Sequence, residues 1–263
     1  MHVDSQGKQT LLTHDKPCTM PAFSPDGQKF ACYRQPYSAA KRSRKEVWLY
    51  DLNGVGRQLT EGGVAGDARP CFTRDGRSVV YTAYHSEDGA SIEYLYRVDV
   101  DGGEVVCLFD PGAEEVSSGV NGCPLCRTQY GEAAPCFAVT GESELTFLCA
   151  WQGAERLYRI STKGSSVPEL LLEGQFSIHE FCPPVNGKML LTRGDAETLR
   201  ELYLADLSDG SFKRLGDHNP WLKEYRLGKM TAMDVPTRDG KGSVHGWVCL
   251  PTGFDPDRTY RCV

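Results

Sequence analysis

The residue types that carry hydrolytic and metal chemistry are present in this chain of 263 residues, but their spacing forms no catalytic motif. An α/β-type serine hydrolase holds its nucleophile in a Gly-x-Ser-x-Gly turn, and no such run occurs. The histidines also lack the i, i+4 spacing of a helical metal site. They are His2, His14, His85, His179, His218 and His245. Because a triad needs nucleophile, base and orienting acid in contact, we assign no catalytic, cofactor-binding or metal-binding residue to the chain, and we expect His245, in an apolar strand, to be structural.

The cysteines are numerous and odd in number, eleven in all. Several lie in apolar runs, where a reduced cysteine behaves as a small hydrophobic residue. A disulfide framework is typical of short secreted domains, so we expect free thiols and a cytoplasmic location. Cys123 and Cys126 form a lone Cys-x-x-Cys, which indicates a loop with free thiols. Zinc binding stays open as the alternative, although a zinc site needs two more ligands at suitable spacing.

Charged residues exclude several classes of partner. Lys and Arg number 29 against 35 Asp and Glu, a net charge of −6, which disfavours binding to nucleic acid phosphates. The basic run Lys41 to Lys45 is expected to be a solvated hairpin loop, with a nuclear-localisation or nucleic-acid patch as the alternative. Glu114 and Glu115 are likewise expected in a solvated loop. No apolar run approaches the roughly 20 residues of a membrane-spanning helix, and we predict no membrane partner.

The elements that must position these residues repeat along the chain. Four segments share an apolar residue, an aromatic residue, two variable positions and then Asp or Ser. They are Val47 to Leu52, Leu95 to Val100, Leu157 to Thr162 and Leu202 to Leu207. Each is preceded by an apolar run that follows a turn signal, at Asp26-Gly27, Asp75-Gly76, Gly141-Glu142 and Asn186-Gly187. Asn-Gly and Asp-Gly tolerate the positive φ of tight hairpin turns.

The repeat spacing predicts a β-propeller. The aromatic positions recur at intervals of 48, 62 and 45 residues, and a four-stranded propeller blade takes roughly 40–50 residues. The long interval carries an insertion. The competing architectures are a β-sandwich and an α/β domain, because Ala196 to Leu204 has helical propensity. Its alignment with three strand-like segments outweighs that weak prior.

Both ends of the sequence depart from the repeat, so we divide the chain into three parts. Residues 1–18 resemble the turn and last strand of a preceding blade, and residues 19–222 form about four blades. Residues 223–263 predict a hairpin, with strands around Met233 to Pro236 and Val244 to Leu250 joined by an Asp239-Gly240 turn. The fold class we predict is therefore all-β, a partial propeller followed by the first strands of an α/β-hydrolase domain.

The residues of the first turn and of the tail resemble a known family. Phe23 to Phe30 (Phe-Ser-Pro-Asp-Gly-Gln-Lys-Phe) resembles the Ser-Pro-Asp-Gly-Lys motif of TolB-like and peptidase propellers, and Arg74 to Arg77 is a degenerate second copy. The tail resembles the passage that opens the hydrolase domain of prolyl-oligopeptidase-family serine peptidases, closest to the acylaminoacyl-peptidase and dipeptidyl-peptidase-like branch. Its matching residues are Asp239-Gly240, Gly246-Trp247, Leu250-Pro251 and Gly253 to Pro256. Arg261 departs from the family, which commonly has Pro there.

The resemblance implies the propeller, or substrate-gating, part of a cytosolic serine peptidase that cleaves short peptides or acyl-peptides. In that family the oxyanion-hole motif, the nucleophile elbow and the remaining triad residues lie beyond this point, so no catalytic residue is carried over and this chain alone is expected to be inactive. Its expected partners are a peptide substrate, where a catalytic domain is present, and a second copy or another protein. The alternatives are a stand-alone propeller that acts as a protein-interaction platform, and an inactive relic.

Overall fold

The computed structural model describes residues 2–3, 6–10, 12–13, 18–34, 45–62, 64–66, 68–84, 92–112, 114–116 and 136–262. Apart from one short 3-10 helix, the regular elements in these ranges are β-strands, and all the pairings are antiparallel. The predicted all-β class is confirmed. The described residues include no helix of the length and apolarity that crossing a membrane requires.

Four successive sheets, here called blades 1 to 4, follow one strand order along the chain. Blade 1 consists of β3 (Cys18–Phe23), β4 (Lys29–Arg34), β5 (Glu46–Asp51) and β6 (Gly56–Gln58). Blade 2 consists of β7 (Val64–Ala65) and β8 (Cys71–Phe72), which both pair with β9 (Ser78–Tyr84), then β10 (Glu93–Asp99) and β11 (Val106–Phe109). The first strand of this blade is thus in two pieces.

Blades 3 and 4 repeat this plan. Blade 3 consists of β12 (Glu115–Val116) and β13 (Phe137–Val139), which both pair with β14 (Glu144–Trp151), then β15 (Ala154–Ser161) and β16 (Glu169–Leu172). Blade 4 consists of β17 (Ser177–Phe181), β18 (Lys188–Gly194), β19 (Glu201–Asp206) and β20 (Phe212–Arg214). The segment with helical propensity therefore ends in strand β19, as the repeat predicts.

Shorter elements flank the blades at both ends. β1 (His2–Val3) pairs with β2 (Gln9–Thr10) before blade 1. After blade 4 come the 3-10 helix η1 (Pro220–Glu224) and a hairpin of β21 (Lys229–Pro236) and β22 (Ser243–Leu250). The predicted hairpin in the tail is confirmed, and its strands begin earlier than the sequence pattern suggests.

Three hairpin turns are built in the same way from a hydroxyl and a carboxylate. In each, a Ser or Thr hydroxyl donates to the Asp two residues later, and that Asp accepts the backbone N–H two residues further on. The pairs are Ser24–Asp26 at 2.6 Å, Thr73–Asp75 at 2.7 Å and Thr237–Asp239 at 2.6 Å. These hydroxyl donors, followed by the N–H groups, lower the pKa of the three carboxyls. The glycine that follows each Asp has φ of 67–70°, as the Asp-Gly signals predict.

The blades pack face to face, and three hydrophobic clusters of the described residues lie between neighbouring blades. Side chains that alternate along a strand point to opposite faces, so a central strand with a blade on each side contributes to two cores. In β9, Val79 and Tyr81 lie in the cluster shared with blade 1, whereas Val80 lies in the cluster shared with blade 3. A third cluster joins blades 3 and 4 and contains Met189 and Leu191 of β18. This arrangement is the one expected of a propeller sector.

Within the described ranges, the outer face of blade 4 has no such core. Met189 and Leu191 are 0% and 1% exposed, but Leu190 between them is 40% exposed. The residues equivalent to Leu190 in blades 1 and 2 are Ala31 and Val80. Both are fully buried, because a following blade covers them. Leu190 thus lies on the side of the sheet that no further blade covers within the described residues.

Candidate functional site

The first feature with concentrated charge is an acid–arginine cluster, made of Glu114, Trp151, Arg156 and Tyr158 on blade 3. Glu114 precedes β12, and the other three belong to the β14–β15 hairpin. Oε1 of Glu114 accepts hydrogen bonds from Arg156 Nη1 at 2.7 Å and from the Tyr158 hydroxyl at 3.0 Å. The Arg156 guanidinium also lies 5.3 Å from the centre of the Trp151 ring, within cation–π range.

Burial and the Glu114 carboxylate disfavour ionisation of the hydroxyl and thiol groups around this cluster. Burial and then Glu114 raise the pKa of Tyr158 to about 12, and the same two causes raise the pKa of the neighbouring Cys149. Both groups therefore stay protonated at neutral pH. Burial opposes the charge on Arg156, but its hydrogen bond to Glu114 raises the pKa overall. The expectation of a solvated loop is wrong for Glu114, whose side chain is only 15% exposed.

The β21–β22 hairpin lies against the same end of blade 3. The turn between β14 and β15 has positive φ at both Gln152 and Gly153, 49° and 74°. A Cβ added to Gly153 would stand 2.4 Å from Trp247 Nε1, so the indole of β22 lies directly on this turn. On the hairpin itself, His245 Nδ1 lies 2.9 Å from Asp234 Oδ1 across the strand pair. One ring nitrogen of His245 therefore faces a carboxylate, and its structural role stays a prediction.

A second feature is an open pocket of about 380 Å³ between blade 4, η1 and the start of β21. Its charged lining includes Glu201, Arg214, Asp217, Lys223 and Lys229. Most of these charges are paired with each other: Asp217 contacts Arg214 Nη2 at 2.7 Å and Lys223 Nζ at 2.8 Å. The pocket is therefore lined mostly by charged side chains that pair with each other, and these offer no single strong anchor for a ligand.

Glu201 is the buried carboxylate at the centre of that lining. Its carboxylate accepts the backbone N–H groups of His218 and Asn219 at 2.9–3.0 Å and contacts Arg214 Nη2 at 3.0 Å. Burial opposes ionisation, but these hydrogen bonds lower the pKa of Glu201 below its ordinary value. The ionised carboxylate ties the segment that follows β20 to β19, and so it positions η1 and the hairpin on blade 4.

Among the residues that the structure describes, none of the chemically suggestive residues of the sequence come together into a catalytic or metal site. Within the described ranges no group of three or more His, Cys, Asp or Glu is suited to hold a metal ion, and the described cysteines are free. Several residues singled out in the sequence lie outside the described ranges: Cys123, Cys126, His14, His85 and Lys41 to Arg44. The same holds for the side chain of Glu115. Zinc binding at Cys123 and Cys126 is therefore untested.

Sequence reasoning missed a set of buried acids at the start of the third strand of each blade. They are Glu46, Glu93, Glu155 and Glu201. One of them, Glu155, ties blade 3 to blade 4: its carboxylate accepts the N–H of Ile178, and its own N–H donates to the carbonyl of Phe176 at 2.9 Å. The signal was present, because each acid stands one or two residues before the repeated apolar–aromatic pair.

Comparisons with known proteins agree with this architecture. No protein-family model and no curated protein sequence matches the chain. Among solved structures, a puromycin-hydrolysing peptidase of Mycobacterium tuberculosis superposes with a TM-score of 0.59 at 18% identity, over 90% of this chain and 36% of that one. TolB from Acinetobacter baumannii superposes with a TM-score of 0.53 at 17% identity, over 94% of this chain and 56% of that one.

These likenesses show the fold. A puromycin hydrolase gives the same result, with a TM-score of 0.58 at 17% identity over 91% of this chain. The chain spans between about a third and just over half of the length of these three structures. The predicted propeller is thus confirmed, whereas the α/β-hydrolase continuation stays a prediction.

Proposed function

We propose that this chain is the propeller part of a serine peptidase of the prolyl-oligopeptidase type, which acts on short peptides or acyl-peptides. The observation that carries the proposal is the order of elements: four blades run through η1 into a hairpin that folds back onto blade 3 through Trp247 and Gly153. The same order of propeller and following segment underlies the sequence resemblance. The likeness to two puromycin-hydrolysing enzymes supports it further.

The role of the propeller in this proposal is to limit access. A ring of rigid blades around a narrow channel admits an extended peptide and excludes a folded chain, because blades are closely packed and cannot widen without breaking inter-blade cores. Chemistry then belongs to a catalytic domain that carries the Ser, Asp and His. Such a domain would follow the hairpin on the side of blade 3 where the acid–arginine cluster lies. Cytoplasmic location and homo-oligomer formation remain predictions of this proposal.

The exposed outer face of blade 4 favours a second candidate, a protein-interaction platform without catalysis. Leu190 offers exposed apolar surface on this face, and exposed apolar surface is a common basis for protein association. On this alternative the product that contains these blades does not react as a serine hydrolase, and an inactive relic would behave in the same way but without a partner.

The experiment that tests the proposal measures the native product. An antibody raised against the blades is used to isolate the protein from its own cells, and the isolate is treated with a fluorophosphonate probe, which labels activated serine nucleophiles. We expect a band well above 29.1 kDa that takes the label. Loss of the label after heat denaturation is the control, because a triad reacts only when it is assembled.

A band at 29.1 kDa without label would refute the peptidase proposal. Stable partners recovered with that band would then favour the interaction platform, and their absence would favour the relic. A labelled product is next incubated with short and long peptides of the same cleavable sequence. Cleavage of the short peptide that is faster by tenfold or more, which corresponds to about 1.4 kcal/mol in activation free energy, supports gating by the propeller.

A further inference from the structure

The segment that joins blade 4 to the hairpin, residues 216–228, is here called the strap. It contains η1 and leads into β21. The structure describes all of its residues, and none of them is buried. Its large apolar side chains Trp221, Tyr225 and Leu227 are exposed. Since the stabilisation from apolar packing scales with the surface removed from water, such packing contributes little to holding the strap on blade 4.

Polar contacts hold the strap instead, and the first of them is made by the buried carboxylate of Glu201. Its side chain is 1% exposed, and it accepts the backbone N–H groups of His218 and Asn219 at 2.9–3.0 Å. The Asn219 side chain also donates to Glu201 Oε1 at 3.1 Å. Loss of these donors would leave a buried charge without partners, which is costly. The start of the strap is therefore firmly attached to β19.

Asp217 makes the second contact, which links blade 4 to η1. Its Oδ1 lies 2.7 Å from Arg214 Nη2 of β20, and its Oδ2 lies 2.8 Å from Lys223 Nζ of η1. The contacts with Lys223 and then with Arg214 lower the pKa of Asp217, so this carboxylate is ionised at neutral pH. The three side chains are 36–69% exposed, and ion pairs as exposed as these are weak and screened by salt. Asp217 therefore holds η1 by a contact that can open.

The strap spans the open pocket of about 380 Å³ without filling it. Leu199 and Glu201 line the pocket from blade 4, whereas Leu222 and Leu227 line it from the strap. The three inter-blade clusters of the described residues contain no residue of the strap. Outward movement of η1 would therefore widen the pocket without opening a hydrophobic core.

The far end of the strap is fixed by close packing. A Cβ added to Gly228 would stand 2.5 Å from the carbonyl oxygen of Leu250 and 2.9 Å from Cys249 Sγ, so glycine allows a close approach to β22 at this point. The strap is thus attached at both ends, through Glu201 and through Gly228, and η1 lies between the two attachments.

We propose that Asp217 is an ionic latch that holds η1 over the pocket, and that loss of its contact with Lys223 lets residues 220–227 move outward and open the pocket. This role is independent of the peptidase proposal, because the blade, the strap and the pocket all belong to the described residues and no catalytic domain is involved.

Amide hydrogen exchange of the full chain, read by mass spectrometry, tests the latch. The N–H groups of Leu222 and Tyr225 donate to carbonyls of the strap, so they report on η1. Those of His218 and Asn219 report on the attachment to β19. Asp217→Asn should lower the protection factors of the first pair by about two- to fivefold, as expected from the loss of one exposed ion pair. It should leave the protection factors of the second pair unchanged.

Further variants assign the effect to the pair of Asp217 and Lys223. Lys223→Gln should lower protection in η1 as much as Asp217→Asn does. The double variant should lower it no further, because residues that share one contact are not additive. Arg226→Gln removes an exposed cation of the strap outside this contact, so it is the matched control and should leave protection unchanged.

Salt separates the latch from a general loss of stability. Raising sodium chloride from about 0.1 M to about 1 M shortens the Debye length from about 10 Å to about 3 Å. This change should lower protection in η1 of the unmodified chain but not of Asp217→Asn. Protection in η1 that neither the substitution nor salt alters would overturn the proposal. An equal loss of protection in β18 and β19 would also overturn it, because the whole of blade 4 would then open.

Discussion

The alternation of Leu190 and Leu191 on β18 offers a sharp test of how blade 4 is packed. The two residues are chemically identical and adjacent, but Leu191 lies in the core shared with blade 3 and is 1% exposed, whereas Leu190 is 40% exposed on the outer face. The perturbation is Leu→Ala at each position in turn. The strand, the residue removed and the residue introduced are the same, so the difference between the variants measures the environment alone.

The magnitudes follow from burial. Leu191→Ala removes a fully packed side chain and leaves a cavity, which costs about 3 kcal/mol. Leu190→Ala removes a side chain that still contacts water and leaves no closed cavity, so only part of the transfer free energy is lost, about 1 kcal/mol. At about 3 °C per kcal/mol for a chain of this size, we expect Tm to fall by about 9 °C for Leu191→Ala and about 3 °C for Leu190→Ala.

Thermal unfolding followed by circular dichroism and by differential scanning calorimetry measures both shifts. Met189→Ala is a further control, because Met189 points to the same core as Leu191 and is also fully buried. It should behave like Leu191→Ala. Equal losses for Leu190→Ala and Leu191→Ala would refute the reasoning, since they would mean that the outer face of blade 4 is covered in solution.

Three further predictions concern polar groups and the hairpin. At pH 7, Glu201→Gln should lower the free energy of unfolding by about 2 kcal/mol, whereas Glu180→Gln, an exposed control, should leave it unchanged. Because the pKa of Glu201 is lowered in the folded state, the difference between the two variants in urea titrations should fade as the pH falls below about 4.5. Burial lowers the pKa of His179 from 6.5 to about 4, so between these pH values the unfolded chain binds a proton that the folded chain does not, and the free energy of unfolding falls by up to about 3 kcal/mol as the pH falls from 6.5 to 4. His179→Gln should flatten the stability profile in that window, and an unchanged profile would contradict this reasoning. Gly153→Ala should speed amide hydrogen exchange in β21 and β22, because its Cβ would meet Trp247 and its φ is 74°; unchanged exchange would mean that the hairpin does not rest on this turn.

Local patterns predicted the turns and strands well because short-range chemistry decides them. Asp26-Gly27 and Asp75-Gly76 form the expected turns, since an Asp carboxylate can bond to the backbone two residues on and glycine accepts positive φ. The third such turn, at Asp239-Gly240, forms the hairpin in the tail. Ala196 to Leu204 shows the limit of propensity: pairing of β19 with β18 gives a strand where the residues alone favour a helix.

Residues whose roles depend on distant partners were not predictable in the same way. Glu114 looked like a loop acid, because Arg156 and Tyr158, which bury it, lie more than 40 residues further along the chain. Glu155 is buried for a similar reason, since its partner Ile178 belongs to the next blade. Charge burial is favourable only where donors are already in place, and a single sequence does not show where they are.

By itself, the sequence determined the repeating unit, the turn positions and the β-propeller class, because each depends on alternation and turn chemistry within a few residues. The absence of a Gly-x-Ser-x-Gly turn also follows from the sequence alone. Only the tertiary structure decided which acids are buried and that Trp247 rests on Gly153. Those contacts arise from strand register and blade packing, where a shift of one residue turns every side chain to the opposite face.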